Sequence, residues 1–360
     1  MKIAYYITAH GYGHGVRSAD IIRAVNRLYP EADVHIITGL PHSLLRNRIG
    51  SEKIVIHSRD FDVGMVQLDS IRVDVAATLG RALELYAARE RLPADETAFL
   101  KKTGIDVVVS DIPSLPLEAA ARAGIPCAAV GNFSWDWIYS EFLAADSRWL
   151  PVIEMFREQY ARADLLLRLP FHDEMEAFSR KEDIPLVARP GKPCREKIAG
   201  LTGCDPEKKW VLLSFTTLDL TDEALARMER TEDCEFLTVL PLEWRRRNIH
   251  AVAREQASFS DVLASVDIVI SKPGFGILSD CAVNNKPLIY ADRTNFREYP
   301  VLEASIVKYL KHVHISAEDL YRGDLEPSLR KVETAAEPAE SLPYGGDEIA
   351  ARRIWKLCCK

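Results

Sequence analysis

The sequence predicts an α/β protein made of two domains, each with a parallel β-sheet that helices cover on both faces. Three observations support this prediction. The chain has 360 residues, a length that suits two domains better than one. Short continuous apolar runs alternate with longer amphipathic stretches, as in parallel sheets buried on both sides. The same alternation then starts again at Trp210, after an irregular segment.

The first domain is assigned to residues 1–190 and the second to residues 205–340. In the first domain, buried strands are predicted at 3–8, 34–38, 107–110, 128–131 and 165–169. Amphipathic helices are predicted between them, among others at 18–28 and 115–123. In the second domain, strands are predicted at 210–215, 236–240, 267–271 and 287–291. Ligands of open α/β sheets bind beyond the carboxyl ends of the strands, so the strand-to-helix loops are where functional residues are expected.

An irregular segment at 185–209 separates the two domains. It contains three prolines before Cys194, Gly191, Gly200, Gly203 and the pair Asp205-Pro206, a density of helix and strand breakers that is typical of a connection. After residue 338 a polar stretch leads to a predicted helix at 347–357. This terminal segment, 345–360, can pack back onto the first domain.

Composition excludes several classes of function. The net charge of −7 gives no basic face for nucleic acid, and the Arg245-Arg246-Arg247 run is interpreted as a solvated loop. Seven cysteines without a Cys-x-x-Cys pair argue against a disulfide framework or a zinc site. The start of the chain is too short in apolar residues for a signal peptide, and no apolar run reaches about 18 residues. A cytoplasmic location is therefore expected, while peripheral membrane association and the oligomeric state stay open.

The loop after the first strand, residues 8–15, reads Thr-Ala-His-Gly-Tyr-Gly-His-Gly. Its glycines let the backbone approach a ligand, although the Gly-x-Gly-x-Gly spacing differs from a dinucleotide fingerprint. His14 lies at the start of a helix, where the dipole disfavours imidazolium and leaves a neutral ring suited to a general base. Asp111 ends another strand and can orient that ring, as in a His–Asp pair. The alternatives are that His14 caps the turn and that Asp111 is a turn residue before Pro113.

A second glycine-rich loop, residues 272–276, reads Lys-Pro-Gly-Phe-Gly and follows the strand at 267–271. A glycine turn that opens a helix offers free N–H groups and a positive dipole end to a diphosphate. Lys272 can add charge, and Asp280, one helical turn further, can accept hydrogen bonds from a ribose diol. The alternative is that the glycines only permit a tight turn.

Other polar groups are predicted at the same edge of the second sheet. Ser214 and Thr216 follow a strand and can hold phosphate or cap the next helix. Residues 295–299, with Arg297 and Glu298, follow the strand at 287–291. The Asp-Phe-Asp run at 60–62 looks like a metal motif of single-domain sugar transferases, but the two-domain pattern makes this match accidental. No metal site is therefore predicted.

These residues resemble the GT-B fold of glycosyltransferases, with two Rossmann-like domains facing a cleft. Residues 271–280 are similar to the donor motif of the peptidoglycan N-acetylglucosaminyltransferase group. That resemblance implies that the glycine turn faces a diphosphate and that Asp280, where the group usually has glutamate, meets a ribose. The group also has a histidine at the place of His14.

A closer resemblance is to the amino-terminal half of plant L-arabinokinases and their free-standing bacterial relatives. The matching pieces are 8–14, 62–69, 132–139, 272–280, 295–300 and 345–346. The kinase half of the plant proteins has no counterpart here, so kinase activity is not expected. The resemblance places 132–139 in the first domain, where Trp135 and Trp137 can stack on a sugar ring and Asp136 can bind its hydroxyls. Without it, the tryptophans are read as core packing.

The sequence therefore leads to a metal-independent glycosyltransferase without a cofactor, which moves a sugar from a nucleoside diphosphate sugar, most simply a UDP-sugar, to a hydroxyl acceptor. Inversion is expected, with His14 and Asp111 as catalytic residues. The expected donor-binding residues are Ser214, Thr216, Lys272, Gly274, Phe275, Gly276, Asp280, Arg297 and Glu298. The expected acceptor-binding residues are His10, Gly11, Gly13, Asn132, Trp135 and Asp136. The rival hypotheses are a non-catalytic nucleotide-sugar-binding module and a nucleotide-sugar 2-epimerase.

Overall fold

A computed structural model describes residues 1–51, 53–68, 73–253, 255–293 and 296–358. The chain forms two compact units. Unit 1 comprises Met1–Val66, Asp74–Ala188 and Pro343–Lys360, and unit 2 comprises Gln67–Val73 and Arg189–Leu342. Asp69 and Asn295, which begin or end matching pieces of the sequence resemblance, lie outside the described residues, as do Cys359 and Lys360 of the terminal segment.

Unit 1 contains a parallel sheet with the strand order β3-β2-β1-β4-β5-β6-β7. Its strands are β1 (Lys2–Ile7), β2 (Asp33–Thr38), β3 (Ile54–Ser58), β4 (Val107–Asp111), β5 (Cys127–Gly131), β6 (Leu165–Arg168) and β7 (Lys181–Asp183). The helices that connect them are α1 (Tyr12–Leu28), α2 (His42–Ile49), α3 (Val75–Ala87), α4 (Arg91–Thr103), α5 (Leu115–Ala123), α6 (Trp135–Ser140) and α7 (Trp149–Tyr160). The central strands are buried throughout, because helices lie on both faces.

Unit 2 repeats this architecture with the strand order β10-β9-β8-β11-β12-β13, again all parallel. Its strands are β8 (Lys209–Ser214), β9 (Cys234–Val239), β10 (Ile249–Val252), β11 (Ile268–Ser271), β12 (Leu288–Ala291) and β13 (His312–Ile315). Its helices are α8 (Arg195–Thr202), α9 (Asp222–Met228), α10 (Phe259–Ser265), α11 (Phe275–Asn284), α12 (Tyr299–Tyr309), α13 (Ala317–Arg322) and α14 (Glu326–Glu333). The prediction of two parallel α/β sheets is confirmed.

The last helix, α15 (Gly346–Cys358), belongs to unit 1 although the chain reaches it from unit 2. Its apolar side chains Ala350, Ile354 and Leu357 join the core that lies under β1 and α1. The Trp355 ring stacks on Tyr29 at the end of α1, with 3.9 Å between ring centroids. This helix therefore closes one face of the first sheet. None of the helices in the described ranges is both long and apolar enough to cross a membrane.

The strand register brings together the loops that were expected to carry function. Ile7, at the carboxyl end of β1, pairs with Asp111 at the end of β4. In unit 2, Ser271 at the end of β11 pairs with Ser214 at the end of β8. Each sheet thus presents the ends of two neighbouring central strands at one edge, which is where ligands of such sheets bind.

Candidate functional site

His14 lies in the first turn of α1, directly beyond the carboxyl end of β1. The N-cap residue of that helix is Gly11, whose backbone is extended (φ −165, ψ 147) and which has no capping side chain. The His14 side chain is only 11% exposed, and its Nδ1 atom lies 2.9 Å from Oδ1 of Asp111. Because the carboxylate can only accept, Nδ1 carries the proton and Nε2 is left as the basic nitrogen. The structure therefore brings the two expected catalytic residues together.

Asp111 is the last residue of β4 and is fully buried. Its carboxylate accepts hydrogen bonds from the side chains of His14, Arg17 and Ser18. Arg17, one turn after His14 on α1, donates Nε to Oδ2 at 2.7 Å and Nη2 to Oδ1 at 2.6 Å. Ser18 adds a third hydrogen bond, from Oγ to Oδ2 at 2.7 Å. The Arg17 fork binds the carboxylate through both oxygens, the strong geometry for this pair. Asp111 therefore has a fixed position from which it orients the His14 ring.

The protonation states of this group follow from burial and from Arg17. Burial alone raises the pKa of Asp111, but the Arg17 cation and the hydrogen bonds outweigh it and hold the pKa well below its usual range. Burial lowers the pKa of His14 below 6.5, the nearby Arg17 cation lowers it further, and Asp111 only partly offsets both. His14 is therefore neutral at neutral pH, as a general base must be.

Asn132 supports this network from behind and has no exposed face for an acceptor. It is 3% exposed, its Oδ1 accepts a hydrogen bond from Nη1 of Arg17, and its Nδ2 donates to the carbonyl of Pro170. The structure does not support direct acceptor binding by Asn132, because both ends of its amide form hydrogen bonds inside unit 1. Its role is to position Arg17.

The other members of the first loop lie nearer the surface. His10 is half-buried, and its Nδ1 accepts a hydrogen bond from the N–H of Met65 at 3.3 Å. This bond leaves the other ring nitrogen as the protonated one. Gly13 is exposed and Gly11 is half-buried. Of these three expected acceptor-binding residues, His10 and Gly11 lie just before α1, and Gly13 lies beside His14 in its first turn.

Trp135 is a core residue, which corrects the expectation of a sugar-stacking platform. It is 1% exposed, its ring packs edge-on against His10, and Nε1 donates to Oδ2 of Asp62 at 2.8 Å. The alternative interpretation as core packing is therefore the right one. Trp137 is half-buried. Asp136 is 6% exposed, and its Oδ2 accepts a hydrogen bond from Nε of Arg157 at 3.3 Å, so it too lacks the exposed surface that acceptor hydroxyls require.

Asp62, like Arg17, is a residue of unit 1 whose place at the site sequence reasoning missed. Its Oδ1 accepts a hydrogen bond from Thr8 at 3.0 Å and its Oδ2 one from Trp135. Burial raises the pKa of Asp62 to about 6, although these two neutral donors lower it. The sequence pattern does not single Asp62 out, because the Asp-Phe-Asp run at 60–62 is interpreted as an accidental match to a metal motif.

In unit 2, the glycine turn opens α11 as expected. Gly274 is the N-cap residue, with an extended backbone (φ −168, ψ 149) and no capping side chain. A Cβ atom at Gly274 would meet nothing within 4 Å. Because its φ lies in a region that any residue adopts, the backbone of the turn does not require a glycine at position 274, and the missing side chain leaves the space of a Cβ atom open. This geometry matches that of Gly11 at the start of α1.

The remaining expected donor residues lie around this turn or at the end of a neighbouring strand. Gly276 and Thr216 are exposed, whereas Lys272, Phe275, Asp280 and Ser214 are half-buried. Arg297 and Glu298 are half-buried at the start of α12. The capping alternative for Ser214 and Thr216 is wrong, because Thr221 caps the following helix, α9, through a hydrogen bond from the N–H of Ala224.

Three side chains that could bind a metal ion lie together at the amino ends of strands β9 and β10 in unit 2. Cys204, Glu235 and His250 have ligand atoms within 4.8 Å of one another. Glu235 already accepts a hydrogen bond from His250 at 2.7 Å and pairs with Lys208 at 3.3 Å. The wide separation of these residues in sequence explains why no metal spacing revealed them. Glu235 and His250 are each the second residue of their strand, so the group lies far from the carboxyl ends that carry the glycine turn.

Comparison with known proteins agrees with the fold of two parallel α/β sheets. The chain is 30% identical over 357 residues, 98% of its length, to the L-arabinokinase of Arabidopsis thaliana, and it spans 34% of that protein. No protein-family model matches the chain. Among solved structures, Phytolacca americana UGT2, complexed with UDP-2-fluoro-glucose and pterostilbene, superposes with a TM-score of 0.62 at 11% identity, covering 99% of this chain and 94% of that one.

Two further structures show the same architecture. The glycosyltransferase VinC, in complex with dTDP, has a TM-score of 0.58 at 14% identity and covers 100% of this chain and 95% of its own. A putative UDP-N-acetylglucosamine 2-epimerase from Listeria monocytogenes has a TM-score of 0.60 at 14% identity, covering 99% and 94%. The chain has the GT-B glycosyltransferase fold. The resemblance to L-arabinokinase is confirmed across nearly the whole chain, and the GT-B protein spans about one third of that relative's length.

Proposed function

We propose that this GT-B protein is a glycosyltransferase that moves a sugar from a nucleoside diphosphate sugar to an acceptor hydroxyl, with inversion and without a metal ion. The observation that carries the proposal is the pairing of His14 with Asp111 beyond the ends of β1 and β4. A neutral, oriented imidazole serves an acid–base reaction, whereas a module that only binds sugar nucleotides has no need of one.

The proposed reaction uses the free Nε2 atom of His14. This atom takes the proton of the acceptor hydroxyl as its oxygen attacks the anomeric carbon of the donor. The bond between that carbon and the diphosphate oxygen breaks, and its electron pair leaves with the diphosphate. Asp111 stabilises the imidazolium that forms, through the hydrogen bond at Nδ1. Direct displacement of this kind inverts the anomeric centre.

Unit 2 is proposed to bind the donor at the start of α11. The N-cap residue of this helix provides no capping side chain, and a Cβ atom at Gly274 would meet nothing within 4 Å. A helix N-terminus of this kind stabilises negative charge on a phosphate, both in the bound donor and on the departing diphosphate. Asp280, inside the same helix, is proposed to accept hydrogen bonds from the ribose hydroxyls.

The structural neighbours support a uridine or thymidine diphosphate donor for this site. UGT2 was solved with UDP-2-fluoro-glucose and VinC with dTDP. We propose UDP as the first nucleotide to test. A thermal-shift screen with UDP-, GDP-, ADP- and dTDP-sugars and the free diphosphates reads out binding, because a ligand of the native state raises its apparent stability. A shift with none of them would overturn the donor proposal.

The decisive test of transfer compares the wild type with His14→Ala. The donor that stabilises the protein most is incubated with a panel of sugar and phenol acceptors, and the release of nucleoside diphosphate is measured. We expect His14→Ala to lower kcat by about 10²–10⁴-fold and to leave the donor-induced thermal shift unchanged. Undiminished transfer by the variant would show that His14 is not the base.

An epimerase is the second candidate, because one structural neighbour is a putative UDP-N-acetylglucosamine 2-epimerase. The two reactions separate in a sample without acceptor. An epimerase converts the donor sugar to its 2-epimer under these conditions, whereas a transferase leaves the sugar configuration unchanged. NMR of UDP-N-acetylglucosamine after prolonged incubation distinguishes them. A protein that binds the donor but catalyses neither reaction would be a binding module.

A further inference from the structure

Arg293 lies beyond the carboxyl end of β12, in unit 2, next to the glycine turn. Its Nη1 atom donates a hydrogen bond to the carbonyl oxygen of Pro273 at 3.2 Å. Its guanidinium carbon lies 3.1 Å from the centre of the Phe296 ring. Pro273 directly precedes Gly274, the N-cap residue of α11. The guanidinium is thus held against the residue that precedes the N-cap of α11.

The electrostatic situation of Arg293 is unusual for an arginine. Its Nε atom is buried, and within the described ranges no atom accepts a hydrogen bond from it. Nor does any carboxylate of the described residues lie within ion-pair distance of Arg293. Burial lowers the pKa of its guanidinium to about 10, and the more distant Glu298 only partly restores it. The Arg293 side chain is half-buried, and its buried Nε atom without an acceptor costs the folded protein free energy when no ligand is bound.

Arg17 in unit 1 shows how the same fold treats an arginine whose anion belongs to the chain. Arg17 is buried, and both its Nε and Nη2 atoms bind the carboxylate of Asp111. Arg293 keeps the corresponding Nε donor unused beside an uncapped helix N-terminus. The difference indicates that the anion for Arg293 is supplied from outside the chain.

We propose that Arg293 binds the diphosphate of the nucleotide donor together with the first N–H groups of α11, and that it selects diphosphates over monophosphates. This inference rests on the proposed function, because it assigns a residue to the same donor site. The planar guanidinium fork suits phosphate oxygens, and the hydrogen bond to Pro273 holds it ready for them. It also meets the charge that develops on the leaving diphosphate.

The test measures the affinities of UDP, UMP and inorganic pyrophosphate by calorimetry, for the wild type and for Arg293→Gln. Glutamine keeps an amide that can still donate to Pro273 but removes the charge. We expect the wild type to bind UDP more tightly than UMP. In Arg293→Gln we expect UDP affinity to fall roughly tenfold or more and UMP affinity to stay nearly constant. Pyrophosphate affinity is expected to fall with that of UDP.

Two further variants separate this role from a structural one. Arg293→Lys keeps the charge and loses the fork, so its UDP affinity is expected to lie between those of the wild type and Arg293→Gln. Arg330→Gln removes a cation from the exposed surface of α14, where the arginine side chain is 78% exposed, and is expected to leave all three affinities unchanged. The thermal midpoint of ligand-free Arg293→Gln is expected to equal or exceed that of the wild type, since the substitution removes a half-buried charge that no carboxylate of the described residues pairs.

The outcomes distinguish this inference from the proposed function. A wild type that prefers UDP, with the same preference retained in Arg293→Gln, overturns the role of Arg293 and leaves the donor site intact. Equal losses of UDP and UMP affinity also overturn it, because they place Arg293 against the nucleoside or the turn. If Arg293→Gln does not fold, the ratio of UDP to UMP affinity in Arg293→Lys decides. A wild type that binds none of the three probes overturns both proposals.

Discussion

His14 and Arg17 donate to the same oxygen of Asp111, and Nη2 of Arg17 lies only 3.0 Å from Nδ1 of His14. Both residues are on one face of α1, three positions apart. Asp111 and Arg17 therefore affect the imidazole ring of His14 in different ways. The carboxylate orients the imidazole, whereas the cation that it holds makes protonation of the ring less favourable. Asp111 therefore orients the His14 ring, and Arg17 helps to keep that ring neutral before the reaction.

The first prediction concerns the pH dependence of transfer. The base must be deprotonated, so activity rises with pH through the pKa of His14 and is full above it. Since burial and Arg17 lower this pKa, the acidic limb of kcat/KM is expected to have its midpoint below 6.5. A pH–rate profile with the best donor tests this. A midpoint above 6.5 would show that Asp111 raises the pKa of His14 more than burial and Arg17 lower it, or that another group is the base.

The second prediction concerns Asp111→Asn. The amide can donate to Nδ1 and favour the wrong tautomer, so kcat is expected to fall by about a hundredfold or more. The variant also leaves Arg17 without its buried anion, which is expected to lower the free energy of unfolding by about 3–5 kcal/mol at pH 7. Ser18→Ala is the matched control, because it removes one hydrogen bond to the same carboxylate and leaves the ion pair in place.

The pH dependence of stability checks the same residue independently. The folded-state pKa of Asp111 lies below that of the unfolded chain, so its contribution is present above about pH 4 and is lost as the pH falls from there. Urea unfolding at pH 7, 5 and 3 is expected to show the gap between wild type and Asp111→Asn narrowing only at pH 3. A gap that is constant over this range would contradict the ionised state of Asp111.

The third prediction is that Asp62→Asn stabilises the protein at neutral pH. Burial raises the folded-state pKa of Asp62 to about 6, so its ionisation costs stability as the pH rises from about 4, and the whole cost is present above about pH 6. Removing the charge is expected to raise the free energy of unfolding by about 1–3 kcal/mol at pH 7.5 and to have little effect at pH 4. The Thr8 hydroxyl can turn to accept from the new amide.

Asp95→Asn is the control for this experiment, because Asp95 is exposed on α4 and its ion-pair partner among the described residues is the exposed Arg91. It is expected to change the unfolding free energy by less than about 1 kcal/mol at either pH. Destabilisation by Asp62→Asn at pH 7.5 would contradict this prediction, because it would mean that the ionised carboxylate stabilises the fold, for example by binding Thr8 and Trp135 together.

The strands that the sequence did not predict are β3, β7, β10 and β13, and these are the outer strands of the two sheets. A continuous apolar run marks a strand that is buried on both faces, as in β4 and β5. An outer strand is partly exposed, and the three residues of β7, for instance, are all polar and none of them is buried. Hydrophobic pattern alone therefore finds the centre of such sheets and misses their edges.

Some residues of the candidate site could likewise be predicted from the sequence, and others could not. The positions of His14, Asp111 and the glycine turn followed from the rule that strand ends carry function, which depends only on local sequence order. Arg17 and Arg293 did not, because an arginine in an amphipathic helix or a polar loop has the pattern of a surface residue. Trp135 was assigned to a ligand surface although its partner, Asp62, lies 73 positions away and cannot be inferred from local pattern.

The last prediction compares two glycine-to-alanine substitutions that differ in available space. At Gly274 an added Cβ meets nothing within 4 Å and the backbone is extended, so Gly274→Ala is expected to change the free energy of unfolding by less than about 1 kcal/mol. At Gly64 the backbone has a φ of +66, and the Cβ would lie against the His10 ring. Gly64→Ala is therefore expected to destabilise the protein by about 1–3 kcal/mol.

Nucleotide binding is expected to respond in the opposite order. The methyl group at Gly274 enters the space where the diphosphate is proposed to lie, so UDP affinity is expected to fall by about tenfold or more in Gly274→Ala. Gly64→Ala, in unit 1, is expected to bind UDP with wild-type affinity at a temperature where it remains folded. If Gly274→Ala binds UDP as the wild type does, the open space before α11 is not the phosphate site, whatever the activity of the protein.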